Sequence, residues 1–94
     1  MKLQIAKGMR DFGPEEKILR DNVVKSLVET FELYGYSPLE TPIVERYDIL
    51  NAKFAAGQES DVAKEIFKLT DQGKRKLGLR FDLTVPFARF IGMN

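Results

Sequence analysis

Leu19, Val23, Leu27 and Phe31 fall on one i, i+4 row, flanked by Ile18, Val24 and Val28. That stripe commits the segment from Pro14 to Tyr34 to a helix of about five turns with one apolar face. Lys17, Arg20, Asp21, Lys25, Glu29 and Glu32 take most of the opposite face. The start is marked by Gly13-Pro14-Glu15-Glu16: proline has no N–H to waste at the first helical position, and the glutamates face the positive end of the dipole. Gly35 is a natural left-handed stop after Tyr34.

The residues after the helix, Tyr36-Ser37-Pro38-Leu39-Glu40-Thr41-Pro42-Ile43-Val44-Glu45, read as extended structure. Prolines at 38 and 42 exclude a helix interior and a central strand ladder, so an edge or interface strand is expected. Such a strand offers its free edge to another chain, unless the prolines mark only a kink. Residues 46–53 are expected as a short helix, residues 54–60 as a loop and residues 61–64 as a single turn. Glu65-Ile66-Phe67-Lys68-Leu69-Thr70 and Lys76-Leu77-Gly78-Leu79-Arg80-Phe81 are strand-like runs joined by the polar turn Asp71-Gln72-Gly73-Lys74-Arg75, which predicts an antiparallel hairpin. Residues 85–94 carry a helical pattern still under way at the last residue, the expectation for a piece of something longer. The order is helix, strand, short helix, hairpin, helix, without internal repeat or linker, and one domain over 1–94 is expected.

Composition narrows the chemistry. The chain contains no histidine, cysteine or tryptophan. Zinc fingers, thiolate or imidazole nucleophiles, haem or iron–sulfur ligation and disulfide scaffolds are thereby excluded, and any metal would need oxygen ligands. Fifteen basic and 14 acidic residues leave a net charge of +1, without the basic excess of a dedicated nucleic-acid or membrane-surface domain. A globular chain this short buries only roughly 60% of its unfolded surface, so stabilisation by a partner is expected. The opening Met1-Lys2-Leu3-Gln4-Ile5-Ala6-Lys7 lacks the apolar core of a signal peptide, and no run reaches the roughly 18 apolar residues of a spanning segment; a cytoplasmic protein without membrane partners is expected.

One compact polar constellation is Arg80-Phe81-Asp82-Leu83-Thr84, placed where a strand ends and a helix begins. An aspartate there can accept from a ligand ammonium and a threonine hydroxyl can add a neutral bond; equally, Asp82 or Thr84 can serve only to cap the helix. Lys74-Arg75-Lys76 is either a phosphate contact or a solvated loop tip, and Gly57-Gln58-Glu59-Ser60-Asp61 either a lid or a connector.

Four stretches taken together carry a resemblance. They are Lys7-Gly8-Met9-Arg10-Asp11-Phe12; Glu40-Thr41-Pro42-Ile43-Val44-Glu45; Glu59-Ser60-Asp61 with Lys64-Glu65-Ile66-Phe67; and Leu79-Arg80-Phe81-Asp82-Leu83-Thr84-Val85-Pro86-Phe87-Ala88-Arg89. In order and spacing the chain resembles the beginning of the histidyl-tRNA synthetase family, and the Asp-Leu-Thr-Val-Pro-Phe-Ala-Arg run resembles its archaeal and eukaryotic branch. Met9 departs from the usual threonine.

The resemblance implies an α+β fold, part of a class II synthetase catalytic core: antiparallel sheet elements with a long N-terminal helix, in an obligate homodimer. It implies that the helix and the segment through Pro42 form the dimerisation motif, with Thr41, Pro42 and Ile43 at the interface. Asp82, Leu83 and Thr84 would hold substrate histidine, Asp82 accepting from its α-ammonium and Thr84 adding a second contact. These are positioning roles; no catalytic residue and no metal ligand is assigned in the chain. The parent reaction is activation of histidine by ATP and Mg2+ to histidyl-adenylate, then transfer to tRNA(His), and the piece alone is expected to bind no cofactor. The ATP-holding arginine motif, the later signature and the anticodon-binding domain are not among these residues. The alternative is the regulatory, non-catalytic synthetase paralogue associated with ATP phosphoribosyltransferase; a third reading is an oligomerisation module alone.

Overall fold

The computed structural model describes residues 1–52 and 64–94. The chain divides into two compact units, Met1–Leu39 and Glu40–Asn94.

The first unit is built on helix α1, Pro14–Leu33. Its start follows the local chemistry: extended Gly13 at the cap, Pro14 in the first turn, and Glu15 and Glu16 against the dipole. Lys17 and Asp21 pair one turn apart at 2.7 Å. Ahead of the helix, the guanidinium groups of Arg10 and Arg20 lie 4.5 and 4.1 Å from the centre of the Phe12 ring, and Arg10 also pairs with Glu16.

The helix ends one residue before the predicted boundary, in a Schellman arrangement. Gly35 N–H donates to Glu32 O at 3.0 Å and Tyr36 N–H to Phe31 O at 3.2 Å, with Gly35 at φ +89°. The Phe31 and Tyr36 rings meet edge to face at 5.9 Å, supplying the hydrophobic contact that accompanies the motif. None of the residues of α1 is buried: the stripe of Leu19, Val23, Leu27 and Phe31 is between 52% and 65% exposed.

Among its described residues the second unit holds a three-stranded antiparallel sheet with helices between and after its strands in sequence. Its elements are β1, Val44–Arg46; α2, Tyr47–Asn51; β2, Lys68–Thr70; β3, Lys76–Leu79; and α3, Thr84–Met93. The strand order is β1-β3-β2, with Glu45 opposite Gly78 and Gly78 opposite Lys68. The predicted hairpin is present as β2 and β3. Its turn closes through Asp71, whose carboxylate accepts from the Arg75 backbone N–H at 2.9 Å and from Arg75 Nε at 2.6 Å, while Lys74 takes the left-handed conformation at φ 61°.

Two expectations are corrected here. The strand predicted through residues 36–45 contracts to Val44–Arg46, and Pro42 lies ahead of the ladder rather than within it. A residue without an N–H and with fixed φ terminates the pairing instead of interrupting it. The last helix begins at Thr84, one residue earlier than the apolar pattern indicates, because Pro86 is tolerated in the first turn, where N–H groups lack partners. The short helix expected over 46–53 is found as Tyr47–Asn51. The predicted loop 54–60, most of the turn 61–64 and the stretch Gly57-Gln58-Glu59-Ser60-Asp61 lie outside the described residues.

Among the described residues the buried centre comprises Leu50 from α2, Ile66 ahead of β2, and Pro86 from α3. It closes over β3 at Gly78. A Cβ there would stand 2.9 Å from Leu50 Cδ1 and 3.1 Å from Ile66 Cγ2, so only a residue without a side chain lets α2 and the approach to β2 meet across the strand.

Candidate functional site

The strand-to-helix junction after β3 is a loop held at both ends. At its leading end the Arg80 backbone N–H donates to Ile43 O at 2.9 Å. Arg80 Nη1 donates to Thr41 O at 2.9 Å, Thr41 Oγ1 at 3.3 Å and Pro42 O at 3.4 Å. At its trailing end Phe87 N–H donates to Leu83 O at 3.2 Å, and α3 is tied to β1 by Arg89, whose Nε lies 3.0 Å from Glu45 Oε2.

Between these ties lie the residues singled out from the sequence. Asp82 is half-buried, and its Oδ1 accepts from the Val85 backbone N–H at 3.2 Å, which satisfies one of the unpartnered donors of the first turn of α3. Capping and ligand binding are therefore compatible: one carboxylate oxygen serves the helix, and the other is not hydrogen-bonded to any described residue. Thr84 does not cap, since it is the first residue inside α3; its exposed hydroxyl makes no hydrogen bond among the described residues. Leu83 stands at the cap position and is 67% exposed.

The other predicted group, Thr41, Pro42 and Ile43, meets this loop through Arg80. Pro42 and Ile43 are exposed, while Thr41 is partly covered. The ion pair of Glu45 and Arg89 went unseen in the sequence reading. Its signal was the alternation of Val44-Glu45-Arg46 in a strand, which turns the glutamate toward the covered side. Glu45 is 6% exposed, and a carboxylate so buried requires a cation.

In the basic run Lys74-Arg75-Lys76 the middle charge is already matched by Asp71. The Arg75 backbone N–H holds the Asp71 carboxyl below its ordinary value near 3.8; desolvation opposes it, and the Arg75 guanidinium adds a smaller effect in the same direction as the backbone bond. That leaves the charges of Lys74 and Lys76 at the turn.

Among the described residues no three Asp or Glu side chains come together as a group that could hold a metal ion. Nor, among the described residues, is any helix long and apolar enough to cross a membrane.

Comparison with known proteins places this geometry. The family model for histidyl-tRNA synthetase matches residues 8–93. "Histidine--tRNA ligase 1" of Bacillus cereus strain ATCC 14579 is 46% identical over 94 residues, covering 100% of this chain and 22% of the relative. "Histidine--tRNA ligase" of Caenorhabditis elegans is 45% identical over 92 residues, covering 98% of this chain and 17% of the relative. The crystal structure of an ATP phosphoribosyltransferase regulatory subunit/histidyl-tRNA synthetase from Bacillus halodurans C superposes with a TM-score of 0.77 at 33% identity, over 97% of this chain and 23% of that one.

The chain thus spans about a fifth of the length of the curated relatives it matches. Near-equal identity to a bacterium and an animal means that similarity does not set it in the archaeal and eukaryotic branch expected from the Asp-Leu-Thr-Val-Pro-Phe-Ala-Arg run. The α+β architecture expected of the class II core is the one observed, a small antiparallel sheet with helices beside it. With a family model matched over residues 8–93 and this likeness in fold, the chain belongs to the histidyl-tRNA synthetase family.

Proposed function

We propose that these 94 residues are the N-terminal part of the class II catalytic domain of a histidine–tRNA ligase, supplying dimer-interface and histidine-holding elements of the parent enzyme. The parent activates histidine with ATP and Mg2+ and transfers it to tRNA(His) in the cytoplasm, as a homodimer. ATP and Mg2+ are held by parts of the enzyme other than this chain.

The observation that carries the reading is the Asp82 oxygen and the Thr84 hydroxyl that no described residue hydrogen-bonds, on a loop anchored at both ends. In adenylate formation the amino-acid carboxylate attacks the α-phosphate, so the ammonium must be fixed away from the reacting oxygen. An ionised acceptor orients it there without entering the reaction. Asp82 receives the α-ammonium and Thr84 the second contact, while Leu83 lines the approach. Thr41, Pro42 and Ile43, exposed or only partly covered beside the outer strand β1, meet the second copy. The archaeal and eukaryotic form of the binding stretch is retained as a description of these residues, not of lineage.

A second reading is favoured by the Bacillus halodurans C structure, whose description includes a regulatory subunit of ATP phosphoribosyltransferase. Amino-acid-dependent exchange of pyrophosphate into ATP by the full-length protein separates the two. Exchange that requires histidine, and no other amino acid, supports the ligase; a full-length protein that binds histidine without catalysing exchange supports the regulatory reading.

A further inference from the structure

Three successive residues, Thr41, Pro42 and Ile43, direct carbonyl oxygens at a single residue, Arg80, two positions ahead of Asp82. We propose that Arg80 is a positioning residue for histidine binding: by gripping the 41–43 segment it sets where Asp82 and Thr84 stand. This rests on the reading of residues 82–84 as the histidine-holding stretch.

The segment 41–43 precedes the β1 ladder, and Pro42 has no N–H to donate. Arg80 takes up its carbonyls instead, with the backbone N–H on Ile43 and the guanidinium on Thr41 and Pro42, the Thr41 hydroxyl adding a further acceptor at 3.3 Å. A charged donor on neutral carbonyls makes stronger bonds than a neutral one, and the planar guanidinium holds its direction where a lysine ammonium would rotate.

Only Phe81 separates Arg80 from Asp82. The trailing end of the loop is fixed by the cap on α3 and by the Glu45–Arg89 pair; at the leading end the ladder stops at Leu79, opposite Val44, and the Arg80 side chain adds its grip on Thr41 and Pro42 beyond it. Freed there, the aspartate loses its fixed distance from the ammonium, although no atom that touches histidine has been removed. Because the same segment is assigned to the dimer interface, Arg80 also makes the shape of that interface felt at the histidine site.

The test is histidine-dependent ATP–pyrophosphate exchange by the full-length ligase carrying this segment, with Arg80→Gln, Arg80→Lys and Asp82→Asn compared with the parent. Arg80→Gln should raise the KM for histidine about tenfold, while the KM for ATP stays within about twofold. Arg80→Lys, which keeps the charge but not the planar fork, should raise it about threefold; it decides the matter alone if Arg80→Gln does not fold. A general loss of folded protein would lower the yield of active sites without this split between substrates. A histidine KM unchanged in the Arg80 variants, with Asp82→Asn raising it, overturns the role of Arg80 and leaves the histidine site standing. An unchanged KM in Asp82→Asn overturns the site itself, and the role of Arg80 with it.

Discussion

Arg89 Nε stands 3.0 Å from Glu45 Oε2, with the glutamate side chain 5% exposed and the arginine side chain 22% exposed. The pair joins α3 to β1, so the helix that follows the candidate site is held by the strand that follows Pro42. Removing one partner of a buried pair strands the other. Glu45→Gln should destabilise the folded protein by about 3 kcal/mol, whereas Glu45→Met with Arg89→Met should recover most of the loss. Urea unfolding of the two variants beside the parent chain checks both halves.

Gly78 is fixed by what surrounds it. Gly78→Ala would put a methyl group 2.9 Å from Leu50 Cδ1 and 3.3 Å from Phe67 O, and a backbone oxygen has little room to yield. The expected loss is about 1–3 kcal/mol, a fall of several degrees in Tm read by differential scanning calorimetry. Gly73→Ala would meet only the flexible end of Arg75 and should cost much less.

At Gly35 the constraint is conformational rather than spatial. With φ at +89° and open space around it, Gly35→Ala is opposed by the left-handed backbone alone and should lower stability by about 1 kcal/mol. Loss of the Tyr36-to-Phe31 bond would appear as faster amide exchange at Tyr36.

The hairpin turn carries a pH dependence. The Asp71 carboxyl is held below its ordinary value near 3.8, first by the Arg75 backbone N–H, so the folded state favours the ionised form. A group depressed in the folded state contributes stability that is present above its unfolded pKa and is lost as pH falls through the folded pKa. The turn should therefore hold at neutral pH and loosen below pH 4, and Asp71→Asn should abolish that acid dependence. An NMR titration following Asp71 and the Arg75 amide measures it.

Much of this was legible in the sequence because it is local. The proline and glutamates at the start of α1, the glycine at its end and the polar turn of the hairpin each act within a few residues, and each lies where the sequence puts it. The extent of β1 was not legible, because pairing is decided by β3, more than 30 residues away, and Pro42 only states where pairing stops. Asp82 is ambiguous between cap and ligand group in the sequence because one residue type serves both; the geometry shows one oxygen capping α3 and the other not hydrogen-bonded to any described residue. The roles of Arg80 and Arg89 carried no local signal, since their partners lie 37–39 and 44 positions away.

The central claim is that Asp82 holds the α-ammonium of histidine. Its most direct test is a calorimetric titration of histidine into the full-length ligase carrying this segment, with Asp82→Ala as the comparison. Loss of a charge-assisted contact should weaken histidine binding by roughly thirtyfold or more. Equal affinity in the Asp82→Ala protein and its parent would contradict the account.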